Sequence, residues 1–295
     1  MSLILWRFTD GRPGHDRQTL GLITALQAQG DFTVHELPVR GGVRAFRWWL
    51  GCHYPPGEAF PAPDLLIGAG HATHPHLLAA RRCRGGRIVL CMKPSLPLVW
   101  FDLCLIPRHD APPAVANALV TEGVLNNLRP GANQAAGSGL IVLGGPSRHC
   151  RWDNASMLAQ VRQLIAARPL QHWRLTTSPR TPPHLRAQLE AGPWEFVPFD
   201  TCATGWLPQQ LAEAGEVWVS EDSVSMIYEA LTAGARVGLL SVPRGRPNRV
   251  TREIDSLVAN RRVGRPGEWQ PAPVADRPLN EAARCAEWIR QWLVH

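Results

Sequence analysis

Lysine is almost missing from this chain. Of its 31 basic residues, all but Lys93 are arginine. Tyrosine is nearly as scarce: Tyr54 and Tyr228 are the two, and neither has a lysine at the spacing of a Tyr-x-x-x-Lys pair. The glycines never fall into G-x-G-x-x-G, and no phosphate-binding P-loop is present. These gaps argue against a dinucleotide-dependent oxidoreductase or epimerase. Seven cysteines are scattered without a C-x-x-C, and their number is odd. That argues against a disulfide framework or a cysteine zinc site and predicts a reducing cytosol. No apolar run approaches the ~20 residues of a membrane helix. The amino terminus has no basic segment ahead of an apolar core, so no signal peptide is expected.

What remains is an ordinary soluble composition, with 45% hydrophobic and 19% charged residues over 295 positions, enough for two domains. The net charge is +7. Such an excess of arginine reflects either codon preference or attraction to anionic ligands or an anionic membrane surface. Nucleic acid is not expected, because the arginines are spread out and no aromatic–basic recognition motif accompanies them. Among twelve tryptophans, Trp48 and Trp49 lie beside Arg44 and Arg47. They read as an amphipathic face for lipid headgroups or as a helix packed on its own domain.

The chain is organised around the stretch from Val217 to Leu240. Val217 to Val219 reads as a buried strand, Ser220 to Ser223 as a polar turn, and Met226, Ile227, Ala230 and Leu231 recur at helical spacing. Gly234 ends the helix and Val237 opens the next strand. In such a βαβ unit the turn lies at the carboxyl edge of the sheet, and the helix N-terminus offers N–H groups to an anion. Asp222, Ser223 and Ser225 are placed to cap that helix, and either serine suits a phosphate oxygen. Glu229 follows Ser225 by four residues on the same face, a spacing that suits a ribose hydroxyl. The alternative is an ordinary N-cap with a solvated Glu229.

The same pattern opens the chain. Leu3 to Phe8 predicts a strand, and a loop containing Asp10, Gly11, Gly14, His15 and Asp16 follows. A helix is expected over 18–29. His15 is a candidate base because imidazole titrates near neutrality. Further strands are expected over 32–37, 64–68, 87–92 and 101–106, with helices over 43–50 and 74–82 between them. Their loops carry His71, Lys93 and His109, and His74 and His76 open the second of these helices. The H-x-x-H-x-H spacing lacks accompanying carboxylates or thiolates, so no metal site is expected. The stretch 130–139 lacks periodicity and marks a domain boundary. Beyond it, Leu140 to Leu143 starts a second sheet, and Gly144, Gly145, Pro146, Ser147, Arg148 and His149 form its first loop. Helices are expected over 154–167, 183–191, 207–214 and 251–260, and strands over 173–176 and 195–198. A proline-rich stretch, 266–278, precedes a last helix over 279–294. The domains expected are thus 1–134, 139–278, and a helix over 279–295 that packs back on the first.

Two successive α/β halves of this kind resemble the GT-B glycosyltransferase architecture, in which two Rossmann-like domains with parallel sheets face one another across a cleft. The D-G-R-P-G-H segment, the Gly144-Gly145-Pro146-Ser147 loop and the segment from Ser223 to Glu229 resemble parts of the lipid-linked N-acetylglucosaminyltransferases of peptidoglycan synthesis. Arg12-Pro13 departs from that family's more glycine-rich loop. A second resemblance spans most of the chain. Thr9 to Gln18, Met92 to Ser95, Leu143 to Ser147, Thr177 to Pro182 and Ser220 to Ala230 are similar to the bacterial branch of the mitochondrial-fission "elongated mitochondria" family.

These resemblances imply a metal-independent glycosyltransferase without a cofactor, whose substrate is a nucleotide sugar or nucleotide diphosphate. Gly144, Gly145, Ser147, Ser178, Arg180, Asp222, Ser223 and Ser225 would meet the diphosphate and Glu229 the ribose. His15, or else Asp16 or His71, would deprotonate the acceptor, with Asp10, Gly11, Gly14 and Lys93 in the amino-terminal loops. The protein would be cytoplasmic, with peripheral contact to an anionic inner membrane. The alternative is a non-enzymatic adaptor recruiting a partner, as in the plant members. A sugar-nucleotide epimerase ranks below both on the missing dinucleotide motif.

Overall fold

The structure, a computed structural model, describes residues 2–131, 134–147, 150–245, 248–267 and 279–294. Arg148, His149 and most of the proline-rich stretch lie outside the described residues. In chain order the elements are β1 (Leu3–Thr9), α1 (Pro13–Gln27), β2 (Phe32–Pro38), α2 (Gly42–Gly51), β3 (Leu65–Ala69), α3 (His74–Arg84), β4 (Arg87–Cys91), β5 (Leu103–Pro107) and β6 (Ala118–Thr121). Then come β7 (Ala135–Val142), α4 (Asn154–Ala166), β8 (His172–Thr176), α5 (Pro183–Glu190), β9 (Glu195–Val197), α6 (Trp206–Glu213), β10 (Ala214–Ser220), α7 (Val224–Thr232), β11 (Arg236–Leu240), α8 (Arg249–Ala259) and α9 (Glu281–Val294). They form two compact units, one of Met1–Asn127 with Asn280–His295, the other of Leu128–Leu279.

The first unit holds a six-stranded sheet in the order β2-β1-β3-β4-β5-β6, parallel throughout. Its central strands are near-continuous apolar runs, as strands covered on both faces must be. Successive residues serve opposite faces. Leu5, Ile67, Val89 and Leu105 face Leu22 and Leu26 of α1 and Cys285, Ala286 and Ile289 of α9. Trp6, Leu66, Leu90 and Ile106 face Leu77 and Ala80 of α3, with Tyr54. Burial of one such aliphatic side chain contributes roughly 1.5–3 kcal/mol. Glu281, at the start of α9, accepts the backbone N–H of Glu122 at 2.9 Å.

The second unit holds a five-stranded parallel sheet in the order β11-β10-β7-β8-β9. β10 is buried along its whole length. Its Trp218 joins Ile141, Leu175 and Leu240 beneath α4 and α5, which supply Val161 and Leu185. In both sheets every strand carboxyl end emerges at one edge, where ligands bind in open α/β folds.

Three elements differ from expectation. α1 begins at Pro13, not near Gln18, because proline fits the first helical position, where its missing N–H is no loss. His15 and Asp16 therefore sit in a helical first turn. β6 was not expected at all. It is a four-residue edge strand with a mostly half-exposed pattern, too short to show a period. β7 begins at Ala135, inside the aperiodic stretch expected to mark the domain boundary. Its Gly139 lies under the ring of Trp173, where a Cβ would come within 2.4 Å. The glycines that fit this strand beneath a tryptophan also hide its periodicity.

Candidate functional site

In the second unit three carboxyl-edge loops are tied to one carboxylate. Asp222 follows β10, and its side chain is fully shielded from solvent. Its Oδ2 lies 2.7 Å from Arg180 Nη2 and accepts the Gly145 N–H at 3.1 Å. Its Oδ1 accepts the Ser220 hydroxyl at 2.6 Å, while Ser220 Oγ accepts the Gly144 N–H at 2.8 Å. Arg180 Nη1 donates to the Gly145 carbonyl at 2.9 Å. Thr181 Oγ1 donates to the Gly144 carbonyl at 2.5 Å and accepts the Ser178 N–H at 3.0 Å.

The glycines are required by these approaches. A Cβ on Gly144 would come within 2.1 Å of the Asp222 carboxylate, and one on Gly145 within 2.1 Å of the Arg180 carbonyl oxygen. The N–H groups of Gly144 and Gly145 and both terminal nitrogens of Arg180 thus brace the loops. The contact of Arg180 with a diphosphate that the resemblances imply would have to compete with Asp222.

α7 begins directly after this brace. Ser223 is its N-cap residue, without a side-chain capping bond, and its Oγ lies 3.3 Å from that of Ser225. Glu229 is 7% exposed, so the alternative of a solvated Glu229 does not hold: the residue points inward from the second turn. Ser147 Oγ lies 3.3 Å from Cys150 Sγ.

Sequence reasoning missed a second carboxylate here. Glu221, also shielded, is approached by Arg265 Nη2 at 2.5 Å and Arg244 Nη2 at 3.6 Å. Arg265 Nη1 also donates to Ser241 Oγ at 2.9 Å. The only signal was the adjacency of two acids at the end of a buried strand. Their arginine partners are far away in sequence.

In the first unit, β1 and β3 together position His15. Its Nδ1 lies 2.8 Å from Asp10 Oδ2, and the Asp10 side chain is only 4% exposed. An ionised carboxylate only accepts, so Nδ1 is the donor in this pair, and in the neutral ring that leaves Nε2 as the acceptor. The ring rests on Gly70, where φ is +80° and a Cβ would meet His15 Cε1 at 2.2 Å. Asp10 Oδ1 accepts the Arg12 N–H at 3.1 Å.

Asp16, the second candidate base, is engaged otherwise: buried Arg7 donates to its carbonyl at 3.0 Å and lies 3.7 Å from its carboxylate. His71, the third, is exposed in a 3-10 turn. Gly11 and Gly14 have open space where a Cβ would stand. Lys93 donates to the carbonyls of Asp110 at 3.0 Å and Ala111 at 3.1 Å.

His74 and His76 are packing residues. His74 Nδ1 lies 3.3 Å from Ser95 Oγ, and its ring meets Phe101 edge-on. Burial, reinforced by the charge of His71, pushes its pKa down to about 4. His76 contacts Tyr54 Oη at 3.2 Å, and burial lowers its pKa too. Among the described residues no group of three or more His, Cys, Asp or Glu is placed to hold a metal ion, and no helix is long and apolar enough to cross a membrane.

Two parallel α/β units with ligand-type loops at their carboxyl edges define a GT-B-like protein, and solved structures of that fold match. A protein assigned as a UDP-N-acetylglucosamine 2-epimerase, from Listeria monocytogenes, superposes with TM-score 0.61 at 11% identity, covering 98% of this chain and 95% of that one. The UDP-GlcNAc 2-epimerase of Neisseria meningitidis, bound to UDP-GlcNAc, gives 0.54 at 11% identity with both chains fully covered. A spinosyn forosaminyltransferase gives 0.52 at 13% identity, covering 100% of this chain and 95% of that one. At such identities the likeness is one of fold. The chain itself belongs to the Mitochondrial fission ELM1 family, whose sequence model matches residues 13–293. No curated protein matches it significantly.

Proposed function

We infer that the protein binds a nucleoside-diphosphate sugar at the carboxyl edge of its second sheet and transfers the sugar, without a metal ion, to an acceptor at a membrane surface. The observation that carries this reading is the head of α7. Two hydroxyls, Ser223 and Ser225, stand at a helix N-terminus, an inward carboxylate, Glu229, follows one turn on, and the preceding turn is fixed by the Asp222 brace. The serines and the helix dipole would take the diphosphate, and Glu229 the ribose. Donors fixed in advance stabilise the charge that develops on a departing diphosphate. His15, oriented by Asp10, is the base assigned to the acceptor hydroxyl.

The test is calorimetry and thermal shift with uridine, guanosine and cytidine diphosphate sugars. At a hundredfold excess over Kd a true ligand adds about 2.7 kcal/mol of apparent stability. The Ser223→Ala/Ser225→Ala double variant should bind roughly tenfold more weakly at an unchanged melting temperature, through loss of hydrogen bonds to a charged group. If no nucleotide sugar binds, the reading fails and the recruitment role of an adaptor takes its place.

One observation favours a second chemistry on the same ligand. Two of the matching structures carry epimerase names, one of them with UDP-GlcNAc bound, which supports epimerisation as a second reading on this scaffold. Product analysis after incubation with the bound nucleotide sugar alone separates the two: an epimerase converts it without an acceptor.

A further inference from the structure

We propose that the outward face of α2 is a docking surface for an anionic lipid bilayer. The helix is anchored by one narrow side. Ala45 is fully buried, and Trp48 packs edge-on to Tyr54 and His76. Against α3, a Cβ on Gly42 would stand 3.3 Å from Pro75, and the Trp48 carbonyl meets Cys83 Sγ at 3.7 Å. The remaining surface is apolar and open. Val43 is 78% exposed, Phe46 58%, Leu50 59% and Trp49 36%. Val43, Phe46 and Leu50 repeat at the i, i+3, i+7 spacing of one helical stripe, and Trp49 extends it, stacked on Phe46.

The charge around the stripe selects the occupant. Arg44 and Arg47, both exposed, border it on one side. On the other, the exposed Arg82 of α3 lies over the Trp49 ring at 4.6 Å. No Asp or Glu occurs from Leu37 to Gly57, nor from Leu65 to Phe101, so α2 and α3 carry no carboxylate; in the loop between α2 and β3, Glu58 is paired with His53 at 3.0 Å and Asp64 accepts the Ile4 N–H at 2.7 Å. An apolar stripe between arginines, with no acid on either helix to repel phosphate, matches the boundary between acyl chains and anionic headgroups. Arginine stems lie along apolar surface while their heads stay in the polar layer. A helix of ten residues is about 15 Å long, so it lies on the surface and does not span it.

This proposal does not rest on the nucleotide reading, and the two are measured separately. The test is flotation of the intact protein with phosphatidylglycerol/phosphatidylcholine vesicles and with pure phosphatidylcholine vesicles, at low and high salt. Binding is expected to the anionic vesicles only, and to weaken with salt. Arg44→Gln and Arg47→Gln should each lower partitioning about fivefold. Phe46→Ser/Leu50→Ser should lower it at least about tenfold. Because all four residues are exposed, melting temperature and nucleotide binding should stay unchanged. Three outcomes overturn the proposal: no flotation, equal flotation with neutral vesicles, or variants that float like the parent. A fourth is self-association in solution that Phe46→Ser/Leu50→Ser abolishes, which would make the face a contact between two copies.

Discussion

Arg180 reaches back 2.7 Å to the carboxylate of Asp222, joining the loop after β8 to the loop after β10. One partner is fully shielded and the other is 41% exposed, so the two ends of the pair are not energetically equal. Asp222→Ala leaves Arg180, the Gly145 N–H and the Ser220 hydroxyl without their acceptor. It should destabilise the second unit by about 3 kcal/mol. Arg180→Ala leaves the shielded Asp222 charge without its counter-ion but keeps its N–H and O–H donors, and should cost less, about 2 kcal/mol. Urea titration of the two variants checks the asymmetry; equal losses would mean that Asp222 is not the hub.

Gly145→Ala should be nearly as damaging as loss of Asp222, for a different reason. Its Cβ would strike the Arg180 carbonyl oxygen, a backbone atom that cannot rotate away. Overpacking of this kind costs typically about 1–3 kcal/mol. Gly14→Ala, with nothing near its Cβ, serves as the control and should change stability by less than about 0.5 kcal/mol. Thermal melts of both variants decide it.

The base assigned to the acceptor side yields a kinetic prediction. His15→Ala should leave nucleotide-sugar affinity within about twofold while lowering turnover at least about tenfold, as loss of a general base does. Gly70→Ala, which drives a methyl group into the His15 ring, should reproduce the turnover defect with His15 still present. Asp10→Asn should do so more mildly, by unsettling the tautomer. Parallel calorimetry and turnover assays test the set; unchanged turnover in His15→Ala would remove the assignment.

The pH dependence of stability follows from His74. Its pKa falls from the usual 6.5 to about 4 on folding, chiefly through burial. The unfolded chain therefore binds this proton more readily between those values. The folded state is fully favoured above pH 6.5 and progressively loses that advantage as the pH drops toward 4. His76, lowered in the same sense, adds to the slope. Melting temperature should fall by several degrees from pH 7 to 5, and His74→Asn should flatten the profile. An unaltered profile would show that His74 does not carry it.

Much of the parallel architecture was legible because buried strands write themselves as apolar runs. β3, β4, β5 and β10 could be read that way. β6 could not, since a short edge strand is half solvated and needs no alternation. The head of α1 was misplaced because Gly and Pro in D-G-R-P-G-H suggest a loop, whereas proline at N1 equally begins a helix. Among the candidate site residues, Ser223, Ser225 and Glu229 were visible through helical spacing, which is local. The burial of Glu229 and the fixed orientation of His15 were not, because each depends on neighbours from other strands.

The order of residues alone determined two rounds of strand, glycine loop and helix, and the polar residues ending each strand, because periodicity and turn chemistry act over a few positions. Only the tertiary structure decided that Asp222 would clamp Arg180, that Glu221 would gather Arg244 and Arg265, and that Asp10 and Gly70 would hold His15 from two sides. Except for Asp10 and His15, five positions apart, those pairings join residues tens of positions apart. Sheet order and the depth of burial bring them within reach, and neither quantity is written in any local stretch of sequence.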